Sequence, residues 1–203
     1  MKGILQAMAF FYFGLTMLDA AETLKSFGWE MPKITKSLFS NDLGMLDPER
    51  EEYATNLAHF AASQITSSKA TPTSLTEGRR VLALALHLSP RNKRALVVNF
   101  QLSKNMLPEV VQGSYSPQVL ARLLLTRGEL LEKQGGSEDK QLAQYFIRLA
   151  ASMDPKNEDA VYASEIQRLD HGDVDWAVIT DPAHPARPTP VNSPAKPTAP
   201  KEK

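Results

Sequence analysis

The chain of 203 residues has no cysteine, which excludes disulfides, thiol nucleophiles and thiolate metal sites within it. It has no excess charge of either sign, with 23 basic and 23 acidic residues, so no global field favours nucleic acid. Only four histidines occur, at 59, 87, 171 and 184, and they are scattered. No HExxH, GxSxG, GxGxxG or Walker phosphate loop is present, so no motif assigns an enzyme, a metal or a cofactor. The segment Asp170-His171-Gly172-Asp173-Val174-Asp175 is the one dense polar constellation, but no calcium-loop spacing completes it. It reads as the end of a helix, with a histidine near the last carbonyls and Gly172 ending the turn.

Long apolar runs are also scarce, with one exception at residues 4–18, broken by Gln6, Gly14 and Thr16. As a helix this run spans roughly 22 Å at ~1.5 Å per residue, short of the ~30 Å hydrocarbon core. Residues 1–24 therefore suit a signal peptide, with an uncleaved membrane anchor or a docking helix as the other readings. The expected location is periplasmic or membrane-anchored at the envelope, with the cytoplasm as the remaining alternative. At the other end, residues 181–203 contain seven prolines and almost nothing large and apolar, which predicts a disordered tail. Residues 25–46 read as a linker with a possible short helix, and 172–203 as an extended segment leading into the tail.

What remains, 47–171, repeats with an offset of 65 residues. Five identities carry the offset: Leu84/Leu149, Ala85/Ala150, Pro90/Pro155, Asn92/Asn157 and Ala95/Ala160. Elsewhere residue kind is matched, with Ser63 opposite Gly128, Gly78 opposite Ala143 and Leu82 opposite Ile147. Asp47-Pro48 and Ser116-Pro117 each read as an N-cap followed by proline at the first helical position. Ser74 with Glu77 reads as a capping box, and Gly135-Gly136 as a helix stop. Ser89-Pro90 and Asp154-Pro155 end the second helices and cap third ones over about 91–105 and 156–170. The alternation Leu82, Leu84, Leu86, Leu88 has the period of a strand, yet Ala83 and Ala85 favour helix, and no β-branched residue follows Val81 within the segment. Leucine on several faces then predicts a helix buried on more than one side. The fold class is all-α: two three-helix units, with an apolar N-terminal helix and the disordered proline-rich tail.

The steps Gly78, Leu82, Ala85, Pro90 and Ala143, Ile147, Ala150, Pro155, together with Leu124, Gly128 and Leu131, resemble the tetratricopeptide repeat. This resemblance covers 117–157 well and 52–92 loosely. It implies helical hairpins stacked as a right-handed superhelix, and a protein- or peptide-binding scaffold in place of an enzyme. Ligands would lie along the concave face, which maps onto Gln64, Arg122, Thr126, Glu129 and Lys133. The basic cluster of Arg79, Arg80, Arg91, Lys93 and Arg94 reads as the solvated side of two helix ends. The expected function is a non-enzymatic scaffold of the cell envelope with a protein or peptide partner, no nucleic acid and no cofactor. A self-associating structural subunit is the alternative, and an enzyme with an unrecognised site the third reading.

Overall fold

The computed structural model describes residues 26–40 and 42–181. The signal or anchor expected over 1–24 and the tail from residue 182 lie outside the described residues. Seven helices occur among the described residues, and no strand: α1 Asp47–Ser67, α2 Pro72–Leu88, α3 Lys93–Ser103, α4 Pro117–Gln134, α5 Ser137–Met153, α6 Glu158–His171 and the short α7 Ala177–Thr180. The all-α expectation is met. No helix among the described residues is long and apolar enough to cross a membrane.

Helix ends follow local chemistry, with several shifts from the sequence reading. Ser116 accepts from the Val119 N–H and Pro117 opens α4, as expected. Asp47 instead lies inside α1, whose N-cap is Leu46 with no side-chain bond. Thr71, not Ser74, caps α2 by accepting from the Ser74 N–H, and Pro72 then occupies the first turn. Glu77, released from any capping role, accepts from Gln64 Nε2 at 2.7 Å. The third helices are capped by Asn92 and Asn157, whose Oδ1 atoms accept from the Ala95 and Ala160 N–H groups. Two of the five identities of the repeat are thus one capping device used twice. Gly135 and Gly172 both take φ of +83°, where a side chain would be strained, and both stop helices.

Helix packing is concentrated within each unit: α1 on α2 with α3 beside them, and α4 on α5 with α6 beside them. Close approach depends on small residues at the repeat positions. A Cβ on Gly78 would meet Ile65 Cδ1 at 2.4 Å, and one on Gly128 would meet Ile147 Cγ1 at 2.7 Å and the Ala143 carbonyl at 3.3 Å. Ala85, Ala143 and Ala150 are fully buried. The two units meet through long side chains. Tyr53 stacks on Phe146 with ring centroids 5.2 Å apart, and its hydroxyl donates to the Leu123 carbonyl. Arg127 Nη2 donates to Glu49 at 3.0 Å and also to the Gly44 carbonyl. Its Nε lies 2.8 Å from Glu49 with the N–H out of line, so that approach is Coulombic alone.

The segments flanking the repeats differ from the sequence reading. Among the described residues of 26–46 there is no helix, yet Phe39, Leu43 and Met45 belong to the core, and Phe27, Trp29, Ile34 and Leu38 pack against it. Gly44 donates its N–H to Asp139 Oδ1 at 2.8 Å, and Ser40 donates its N–H and hydroxyl to Glu138 Oε2. The segment therefore straps the second unit to the first. Beyond α6 the chain is not wholly extended, since α7 places Ile179 in the core beside α2. With flanks on its outer side, α2 is buried at every residue from 81 to 88, which accounts for its uniform leucines.

Ala150→Leu should overpack the core around α5 and cost about 1–3 kcal/mol, whereas Gln144→Leu, half-buried on the same helix, should cost little. Urea unfolding of both variants measures the difference, and equal small effects would contradict the packing role given to small residues.

Candidate functional site

Burying α2 on all sides leaves one polar ring inside. His87 is 0% exposed, and both of its nitrogens bond backbone groups of the flanking segments. Leu38 donates its N–H to Nδ1 at 3.1 Å, and Nε2 lies 3.0 Å from the Ile179 carbonyl oxygen. An amide can only donate, so Nδ1 is the acceptor and Nε2 carries the proton: the imidazole is neutral. Burial holds its pKa below the usual histidine value, opposed by the Ile179 carbonyl. Ser37 adds a bond from its hydroxyl to the His87 carbonyl at 2.6 Å. Nearby, Arg50, only 6% exposed, donates to the carbonyls of Leu88, Ser40 and Phe39, closing the C-terminal end of α2.

The same flanks meet each other. Lys33 donates its N–H to the Thr180 carbonyl at 3.0 Å, and Arg79 Nη2 reaches that carbonyl at 3.3 Å. Between the flanks and the first half of α2 lies a cleft of about 780 Å³, lined by Phe27, Trp29 and Trp176 and by Lys69, Arg79 and Arg80, with Glu30 as its carboxylate. Its aromatic walls are fixed: Trp29 Nε1 donates to Asn99 Oδ1 at 3.1 Å, and Trp176 packs against Tyr145 at a centroid distance of 5.2 Å. Burial pushes the Tyr145 phenol up to about 12, and its hydroxyl donates to the Asp175 carbonyl. Arg80 sits over the Trp176 ring at 5.7 Å. At the rim, Lys69 and Ala70 are consecutive non-glycine residues with φ near +50°, a conformation costing about 1–2 kcal/mol per residue. The Ala70 N–H, donating to the Ile65 carbonyl at 2.9 Å, holds them there.

The expected ligand face is distributed differently. Arg122, Thr126, Glu129 and Lys133 form one exposed stripe along α4. Gln64, bonded to Glu77, lies in a separate groove of about 170 Å³ with Phe60, Arg148, Arg80 and Trp176, and none of the four α4 side chains lines it. Arg80 and Trp176 border both this groove and the larger cleft. Arg79 and Arg80 are half-buried walls, not the solvated helix ends that the sequence suggested, whereas Arg91 is exposed. Arg94 is half-buried and donates to the Glu109 carbonyl at 2.6 Å. The signal that was missed is the placement of both tryptophans outside the repeats. An indole in a true linker would leave a large apolar surface in water.

Elsewhere, His59 borders a second cleft of about 430 Å³ formed by α1 and the loop before α4. Burial, and then the charge of Arg94, hold its pKa below the usual value. In the 170–175 segment, Asp175 Oδ1 accepts from the Ala177 N–H and opens α7. No group of three histidine or acidic residues among the described residues is arranged to hold a metal.

The depressed pKa of His87 has a definite sign in stability. The unfolded chain takes up the proton first, so the contribution of the clamp is fully present above pH 6.5 and is lost as pH falls from there through the folded value. Leu38 N–H and Ile179 C=O would both be stranded in His87→Leu, at about 1–3 kcal/mol each. Urea unfolding of the protein and of this variant between pH 8 and 5 should show the variant less stable throughout the upper range, with the gap narrowing as pH falls. His59 titrates in the same direction in both proteins and cancels in the comparison.

No protein-family model, no curated protein and no solved structure matches this chain.

Proposed function

We propose that the protein is a non-enzymatic helical-repeat scaffold that binds a protein or peptide segment, and that the cleft beside α2 is where the segment lies. The observation that carries this reading is the lining of that cleft: three aromatic rings, two of them fixed indoles, and three cationic side chains around about 780 Å³. A volume in this range, with apolar walls and a few convergent polar groups, is typical of a binding pocket. The tetratricopeptide-like superhelix belongs to the same proposal, supported by the close approaches at Gly78 and Gly128. The cell-envelope location rests on the apolar run at residues 4–18 alone. Selection from a random peptide display library against the full chain tests the reading. Peptides should be recovered whose binding is lost in Trp176→Ala and kept in Glu129→Ala. Failure to recover any would contradict the scaffold, and the opposite pattern would move the site to the α4 stripe.

A second reading, self-association, is favoured by one feature. The third helices present apolar side chains outward, Leu96 and Phe100 on α3 and Tyr162 and Leu169 on α6, with Phe100 61% and Tyr162 70% exposed. In a longer array another helix would cover these faces. Sedimentation of the full chain distinguishes the two readings: a concentration-dependent dimer that Phe100→Glu abolishes supports self-association, and a monomer contradicts it.

A further inference from the structure

We infer that the cleft beside α2 takes an acidic peptide segment, with its carboxylates met by Arg79, Arg80 and Lys69 and its backbone laid against Trp29 and Trp176. This rests on the scaffold reading and names the chemistry of its partner. Among the described residues none of the three cations has a carboxylate within 4.0 Å, while the Arg127, Arg148 and Arg168 side chains all do. The Arg79 guanidinium is tied down through Nη2 to the Thr180 carbonyl, yet its Nε is buried without any acceptor. The guanidinium of a residue that lines the cleft thus keeps hydrogen-bonding capacity that no protein acceptor uses. Arg80, placed over the Trp176 ring at the boundary of cleft and groove, carries a guanidinium able to make paired bonds to a carboxylate.

The choice of partner follows from size and charge balance. A simple oxyanion would fill a small part of about 780 Å³, whereas a few extended residues would occupy it and cover both indoles. A nucleic acid strand needs a basic track along its phosphates, but this chain has no net charge and Glu30 stands in the lining. Side-chain carboxylates spaced along a peptide match three separated cations better. The protein has only two tryptophans and both line the cleft, Trp176 also bordering the adjoining groove, so their emission reports on the cleft and its junction with that groove.

Titration of the full chain with short poly-L-glutamate, followed by tryptophan fluorescence, tests the inference. A saturable change is expected that weakens with added salt and falls about tenfold or more in Arg79→Gln/Arg80→Gln. Since Arg79 also supports the Thr180 carbonyl, Lys69→Gln/Arg80→Gln is measured beside it, and weakening in this variant with unchanged thermal unfolding supports the inference independently. No response to poly-L-glutamate, an equal response to poly-L-proline or poly-L-lysine, or tighter binding of oligothymidylate overturns it. If a neutral peptide from the display selection changes the emission while poly-L-glutamate does not, the acidic partner is wrong and the scaffold stands. If no peptide changes the emission, the cleft itself is wrong.

Discussion

A helix made of leucine and alanine on every face must be enclosed, and the architecture depends on how α2 meets that requirement. Its inner face is covered by α1 and α3, and its outer face by two segments that belong to neither repeat. Those segments are short and irregular, with few backbone partners of their own, so something polar must tie them to α2. His87 supplies that tie from inside the apolar surface, because a neutral imidazole is acceptor on one nitrogen and donor on the other. It takes the Leu38 amide and gives to the Ile179 carbonyl. Arg50 does the corresponding work at the end of the helix, where three carbonyls converge on one guanidinium. A buried cation among carbonyls and a buried neutral ring between amides are costly to leave half-satisfied, which fixes the register of both flanks.

The cleft is a by-product of that enclosure. Both flanks are fixed to α2 at His87 and to each other beside Arg79, and along the first half of the helix Leu75, Thr76 and Arg79 are part of a lining that the flanks wall with Trp29 and Trp176. The strained pair Lys69 and Ala70 belongs to the same rim. Local strain that packing maintains is a recurrent property of binding sites, and here it coincides with unpaired cations.

Much of the repeat was legible in the sequence because it depends on local rules. Proline after serine marked α4, glycine at 135 marked its end, and small residues at 78, 128 and 143 marked the close approaches. The capping assignments at Asp47, Ser74, Ser89 and Asp154 were less legible. Several polar residues next to a proline can each serve as a cap, and the choice among them depends on where the preceding turn ends. Asn92 and Asn157 were visible as identities, but their common role needed the geometry. The flanks were legible least. Phe27, Trp29, Phe39, Leu43 and Trp176 have no periodicity, so nothing in their spacing reveals that they pack, and His87 looked like one more residue in a leucine run. Its function is defined by residues 49 positions before it and 92 after it. The α4 stripe came from a resemblance that describes a continuous superhelix, whereas here the large cleft is built by segments outside the repeat.

Amide hydrogen exchange at residue resolution, at pH 7, tests the central claim most directly. If the flanks are integral to the fold and clamped on α2 by His87, the Leu38, Lys33 and Gly44 amides, all bonded across long sequence separations, exchange as slowly as the amides within α2. Exchange of these three at the rate of an unstructured chain, with α2 still protected, would mean that the flanks are not held, and the account of α2, the clamp and the cleft would be wrong.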